Sequence, residues 1–244
     1  MRLTRVFVEQ PLSAGAELEL GPQAAAHAVR VLRLKQGDAL TLFDGRGGQH
    51  AGTILDVRRG RVRVRVGGLD PTDCETPLGI TLAQGISRGE RMDWVIQKAT
   101  ELGVRSVVPL LTERCVVKLD AKQAKAKRAH WQGVAIAACE QCGRNRVPAV
   151  AAPVDLRTWL SELADSDTRL LLDANALKPL GVSPTATALT LLVGPEGGLS
   201  GEERQAARAA GFDSRRLGPR ILRTETAALV ALSVLQAAAG DLTL

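Results

Sequence analysis

Apolar and polar residues alternate in short runs over roughly the first seventy positions of the chain. Residues 5–8, 39–43, 53–57 and 61–66 each set apolar side chains two apart, with turn formers such as Asp44-Gly45 between the runs. That spacing is the mark of half-buried strands. One stretch breaks the rhythm: within residues 22–34, Ala24, Ala28, Val31 and Leu32 recur at helical spacing, and Gly37-Asp38 closes the segment, which predicts a short helix. A small β-rich domain over residues 1–71 follows, ended by a linker at 67–73 (GGLDPTD) rich in turn-forming residues.

Beyond the linker the rhythm changes to strands alternating with helices. Strands are predicted at 78–83, 107–111, 169–172 and 189–193, and helices near 120–140 and 155–163. Ser87 with Glu90 has the spacing of a capping box ahead of a helix whose Met92, Val95, Ile96, Ala99 and Leu102 share a face, with Gly103 as its stop. Ser200 with Glu203 repeats the pattern before a helix ending at Gly211, and a Thr-capped helix over 224–239 closes the chain. This order predicts an α/β domain over residues 72–244 with a parallel sheet, in which ligands bind at the carboxyl ends of strands.

With 244 residues, 45% of them hydrophobic, the chain can bury a full core, but 2% aromatics and no Tyr leave few platforms for stacking on bases. Lys and Arg outnumber Asp and Glu by 32 to 26, a balance that suits a polyanionic partner without demanding one. The first residues, MRLTRVFVEQPL, lack the apolar run of a secretory signal, and no stretch is long enough to span a bilayer, so a cytoplasmic location without membrane contact is expected. Four cysteines do not suggest a disulfide scaffold. Cys139 and Cys142 form a CxxC, yet Cys74, Cys115 and the scattered His27, His50 and His130 supply no second pair at metal spacing, so no metal is expected.

Two segments concentrate candidate chemistry. In LTLLVGPEGG, a buried strand runs into a glycine turn, Gly194-Pro195-Glu196-Gly197-Gly198, just before the Ser200-capped helix. Glycines permit close backbone approach, and the helix start offers free N–H groups; a strand-helix junction needs glycine for purely structural reasons about as often. The segment has neither the GK[ST] of a P-loop nor GxGxxG, which disfavours nucleoside triphosphates and nicotinamide cofactors. In LGPRILRTETAA, Arg220 and Arg223 flank the apolar pair Ile221-Leu222, with Glu225 close behind and a strongly apolar helix following.

Those two segments, with QKATELGV and EQCGR upstream and HAVRVLRLKQGD and LFDGRGG near the N-terminus, resemble in order and spacing the bacterial ribosomal RNA small subunit methyltransferase E family. The resemblance covers nearly the whole chain. It implies a PUA-like β-barrel RNA-binding domain followed by a SPOUT α/β domain with a C-terminal trefoil knot, a homodimer, and S-adenosyl-L-methionine-dependent methylation of N3 of a uridine in 16S ribosomal RNA. By the same resemblance the cofactor pocket has one wall of Gly194, Pro195, Glu196, Gly197 and Gly198 and another of Leu217, Gly218, Ile221, Leu222 and Arg223, with Leu172 and Thr226 as neighbours.

Arg223 is the expected stabiliser of anionic charge on the uracil, unless it only shapes the pocket by pairing with Glu196 or Glu225. Glu140 is an expected proton acceptor or RNA-positioning group, against the reading that it is a helix-end ion-pair partner. RNA contact is expected from Arg5, Arg30, Arg33, Arg46, Gln141, Arg144 and Asn145. The family has Ser where this chain has Cys142. Arg61, Arg63 and Arg65 share one face of a strand and suit either phosphates or an aggregation-proof edge. Two alternatives stay open: a SPOUT enzyme acting on a ribose 2′-hydroxyl or a transfer RNA, and a non-catalytic RNA-binding assembly factor.

Overall fold

In the computed structural model, which describes residues 4–163 and 168–242, the chain divides into two units. Met1–Glu75 and Ile136–Val147 make the first; Thr76–Ala135 and Pro148–Leu244 make the second.

The first unit carries β1 (Arg5–Phe7), β2 (Glu17–Glu19), α1 (Pro22–Ala26), β3 (Ala39–Phe43), β4 (Gln49–Arg58) and β5 (Arg61–Asp70) in one sheet of order β1-β3-β4-β5-β2. Alternation does what it predicts: Leu40 and Leu42, Ile54, and Val62, Val64 and Val66 face one buried core with Val6 and Ala28. The expected linker is shorter than its composition suggested. β5 continues to Asp70, still paired with Gln49 of β4, because Gly67 lets the strand pass where a Cβ would press to 3.0 Å from the Ala51 carbonyl. β5 is also not an edge. β2, a strand too short to read from pattern, covers it, and its Glu17 pairs with Arg63 at 2.8 Å and Arg65 at 2.9 Å. The basic stripe is thus largely matched by acid from the neighbouring strand.

After α1 the predicted helix widens into a π turn over His27–Val31, with Leu32 N–H donating to the His27 carbonyl at 3.0 Å, and Arg33 then takes φ 60. π turns and left-handed non-glycine residues both cost energy that the surroundings must offset.

The second unit follows as β6 (Gly79–Gly85), α2 (Arg91–Glu101), β7 (Val104–Leu111), α3 (Ala121–Cys142), β8 (Ala149–Val150), β9 (Val154–Asp155), α4 (Leu156–Ser161), β10 (Thr168–Leu172), β11 (Ala188–Val193), α5 (Gly201–Ala209), β12 (Asp213–Arg215) and α6 (Thr224–Ala239). α3 passes into the first unit at Ile136. The sheet is parallel throughout, ordered β12-β10-β11-β6-β7-β8, with β9 also on β7. β11 lies inside it and is buried from Leu189 to Val193, as an unbroken apolar run in a doubly covered sheet should be. On one face Ala83, Leu110, Leu171 and Leu192 meet Leu156, Leu160, Ala207 and Phe212. α2 and α6 pack together elsewhere, burying Met92, Val95, Ile96 and Ala99 on one and Ala228, Ala231, Leu232 and Leu235 on the other.

Of the two predicted capping boxes, Ser200 and Glu203 form theirs in both directions, at 3.2 and 2.8 Å. Ser87 and Glu90 do not. Gly89 turns the chain at φ 61, so Glu90 itself becomes the N-cap of α2 and the Ser87 hydroxyl is buried elsewhere. The cap of the last helix lies one residue earlier than predicted: Arg223 is the N-cap and Thr224 the first helical residue.

Candidate functional site

The carboxyl ends of β10 and β11 and the segment after β12 surround a cavity of about 630 Å³ in the second unit. Its lining includes Leu172, Gly194, Pro195, Glu196, Gly197, Gly198, Leu217, Gly218, Ile221, Leu222 and Arg223. Two stretches far apart in sequence are therefore brought to one concavity. Thr226, expected beside them, is not in the lining, where Thr224, Glu225 and Ala227 stand instead; at helical pitch Thr226 points to another side of α6.

The geometry begins with Gln84 at the end of β6. This fully buried amide donates to the Gly85 carbonyl at 3.0 Å and to the Thr224 hydroxyl at 2.9 Å, and that hydroxyl donates to the Gly194 carbonyl at 2.6 Å. One network thus fastens β6, the turn after β11 and the start of α6. Sequence reading missed it because Thr224 looked like a cap and Gln84 lay just past the predicted strand 78–83. Gly85 is needed there, since a Cβ would collide with Pro195 N. Gly198 and Gly218 each take φ 66 with open space where a side chain would go, so backbone lines the cavity there.

Between Leu217 and Leu222, no backbone N–H or C=O bonds another backbone group among the described residues. Backbone groups unpaired beside a cavity are free to read the polar edge of a heterocycle. Apolar surface comes from Leu172, Val193, Leu199, Leu217 and Leu222. The site can therefore hold a flat, partly apolar molecule carrying polar edges, and a nucleoside cofactor such as S-adenosylmethionine fits that donor set.

Seven arginines and three carboxylates also line the cavity. Arg91, which sequence reading did not single out, spans two of the acids: its Nη1 is 2.9 Å from Glu196 Oε1 and its Nε 3.8 Å from Glu225 Oε1. Glu196 also accepts the Arg88 N–H at 3.0 Å. Burial would raise the Glu196 carboxyl, but these donors outweigh it and hold the group below its ordinary value. No ion pair joins Arg223 to Glu196 or Glu225 among the described residues; Arg91 is the arginine that contacts both. Arg223 is exposed and, like Arg216 and Arg220, has no side-chain partner among the described residues.

The remaining expected residues belong to the first unit, around the end of α3. Arg5 is 4% exposed and donates to the Arg144 carbonyl at 3.0 Å, to Asn145 Oδ1 at 2.7 Å and to Gln49. Arg144 is buried against Glu75 at 2.9 Å, and Asn145 donates to the Thr72 carbonyl at 2.6 Å. These three side chains are turned inward, so they brace the unit instead of facing a ligand. Arg30, Arg33, Arg46 and Gln141 are exposed. Glu140 is buried; its Oε1 accepts the Phe7 N–H at 3.0 Å, and His27 lies 3.6 Å from its Oε2. Burial raises its carboxyl above the ordinary value despite that N–H. Cys139 is buried and donates to the Arg146 carbonyl at 3.6 Å, and burial pushes its thiol up to about 12.

Sequence models of two known domains match the chain: RNA methyltransferase PUA domain over residues 20–67 and RNA methyltransferase domain over 74–236. The ribosomal RNA small subunit methyltransferase E of Buchnera aphidicola is 32% identical over 242 residues, covering 99% of this chain and 98% of that one. The Bacillus subtilis protein of the same name is 32% identical, covering 96% of each. Among solved structures, a Legionella pneumophila chain in complex with the bound cofactor SAM superposes with TM-score 0.95 at 43% identity, over 99% of this chain and 100% of that one. Ribosomal RNA small subunit methyltransferase E from Neisseria gonorrhoeae, bound to S-adenosyl methionine, superposes with TM-score 0.91 at 39% identity and the same coverage. No helix among the described residues is long and apolar enough to cross a membrane. A domain match across more than half the chain, joined to full-length relatives of one name, shows that the chain belongs to the ribosomal RNA small subunit methyltransferase E family.

Proposed function

We propose that this chain uses S-adenosylmethionine to methylate N3 of one uridine in 16S ribosomal RNA, in the cytoplasm and within the small ribosomal subunit. The observation that carries the reading is the cavity between the glycine turn 194–198 and the segment 217–223, with its unpaired backbone groups, in a chain of this family. Bound there, the cofactor supplies an activated methyl group on a sulfonium. The protein's share is to align donor and acceptor and to favour the anion left when N3 loses its proton. Arg223 suits the stabilisation of that anion, since it lines the cavity and has no partner to give up among the described residues. Glu140, engaged by Phe7 and His27, receives no step.

Arg30, Arg33, Arg46 and Gln141 are the proposed RNA contacts, being exposed in the unit that contains the PUA match. A closed barrel, a trefoil knot and a homodimer complete the proposal. The knot draws support from the return of α6 to the ends of β6 and β11 through Gln84, Thr224 and Gly194. The dimer draws it from the exposed apolar side chains of Trp94 on α2 and Val230 and Val234 on α6.

The test incubates purified protein and labelled cofactor with RNA and small subunits from cells lacking the gene, followed by nucleoside analysis. 3-Methyluridine in 16S RNA is expected. A ribose 2′-O-methyl or a transfer RNA product would overturn the substrate assignment, and no binding of S-adenosylmethionine at millimolar concentration would favour a non-catalytic assembly factor.

A further inference from the structure

The three carboxylates of the cavity differ in what they have left to offer. Asp173 accepts the Asn175 N–H at 3.0 Å through Oδ1, and its Oδ2 has Arg208 at 3.2 Å and Arg204 at 3.9 Å. Glu196 Oε1 takes the Arg88 N–H and the Arg91 guanidinium at 3.0 and 2.9 Å. Glu225 is the exception. Its Oε1 has only the longer Arg91 contact of 3.8 Å, and its Oε2 is shut off from solvent with no hydrogen-bond donor. An ionised carboxylate can only accept, and a buried oxygen left without a donor carries its desolvation cost uncompensated. Glu225 lines the cavity, so a small rotation of its side chain would present this oxygen to a ligand that brings positive charge.

Resting on the S-adenosylmethionine reading above, we propose that Glu225 receives a positively charged centre of the cofactor's methionine end, with Arg91 as the positioning residue that holds its other oxygen. Seven arginines line the cavity, so a carboxylate on the ligand has ample partners, whereas a cation has few. Glu225 is the acid with an oxygen both shut off from solvent and without a donor. It also sits at the second residue of α6, next to Thr224, which the buried network with Gln84 and Gly194 fixes in place. The backbone that carries the carboxylate is thus held independently of the ligand.

The experiment measures equilibrium binding of three ligands to the full chain and to Glu225→Gln. S-adenosylmethionine carries a sulfonium and an ammonium, S-adenosylhomocysteine only the ammonium, and 5′-methylthioadenosine neither. Glu225→Gln is expected to weaken S-adenosylmethionine by roughly tenfold to a hundredfold, the range of a charge-assisted hydrogen bond. Binding of 5′-methylthioadenosine should stay within about twofold, which also reports a correctly folded pocket. A parallel loss for S-adenosylhomocysteine assigns the ammonium, and an unchanged value assigns the sulfonium; both support the proposal. Equal loss for all three ligands, or no loss for S-adenosylmethionine, overturns it while leaving the cofactor assignment intact. Failure of the unmodified chain to bind S-adenosylmethionine would instead remove the reading on which the proposal rests. Arg91→Lys, which restores one charge, should recover part of the affinity that Arg91→Met loses, and only for the charged ligands.

Discussion

The hydroxyl of Thr224 donates to the carbonyl of Gly194 at 2.6 Å, joining the first turn of the last helix to the turn that follows β11. The same oxygen accepts from Gln84, so one small side chain satisfies two buried groups. Thr224→Val keeps the shape but takes one hydrogen bond from each partner, at a cost of about 1–3 kcal/mol. A lower Tm is expected with weaker cofactor binding, whereas Thr224→Ser should retain most of both. Thermal unfolding and calorimetric titration check this, and an undisturbed Thr224→Val protein would refute it.

Glycine substitutions should separate folding from binding. Gly85→Ala forces a Cβ into Pro195 N and is expected to cost about 3 kcal/mol or more, enough to reduce soluble yield. Gly218→Ala meets open space and bears only the strain of φ 66, about 1–2 kcal/mol. Its effect should fall on affinity for cofactor, because the new methyl group enters the cavity wall. Denaturant melts beside binding curves distinguish the two.

Arg223→Ala is expected to lower kcat far more than cofactor affinity, about tenfold to a thousandfold in turnover if its charge is needed only as the uracil becomes anionic. The reverse pattern would make Arg223 a shaping residue.

Glu140 sets a pH dependence of stability. Burial raises its carboxyl above the ordinary value, so the folded chain holds this proton more tightly than the unfolded one. The contribution is full below the unfolded glutamate pKa of about 4.3 and is lost as pH rises through the raised folded value. Glu140→Gln should flatten stability over that window in urea titrations while keeping an acceptor for the Phe7 N–H. An unchanged slope would show that the group does not titrate there.

Thiol chemistry should follow burial. Cys74 is exposed and Cys139 is fully buried with its thiol pushed up to about 12. Alkylation near pH 8 should modify Cys74 quickly and Cys139 only on unfolding, as peptide mass spectrometry would show. Rapid labelling of Cys139 in the folded chain would contradict its packing.

Most of the helix and strand order was legible in hydrophobic period, and the last helix came out at 224–239, although its N-cap is Arg223 and not the expected Thr. What the pattern could not show is long-range partnership. Nothing local announces that Glu17 sits opposite Arg63 and Arg65, or that Arg91 reaches Glu196 and Glu225. The same limit turned Arg5 and Arg144 from apparent surface cations into buried braces: charge suggests solvent, and only the fold supplies Asn145 and Glu75 as partners. The site segments were recognisable by resemblance, since a glycine turn alone looks the same in a junction and in a binding wall.

The segment 136–147 that completes the first unit lies some sixty residues beyond the rest of it in the chain. Arg5 finds Asn145, Glu75 finds Arg144, and Asp73 finds Arg146 only once that stretch exists. During synthesis the N-terminal sheet must therefore wait, its polar braces missing, until more than half of the protein has left the ribosome; a gene cut at the apparent end of the first domain would encode an unfinished one.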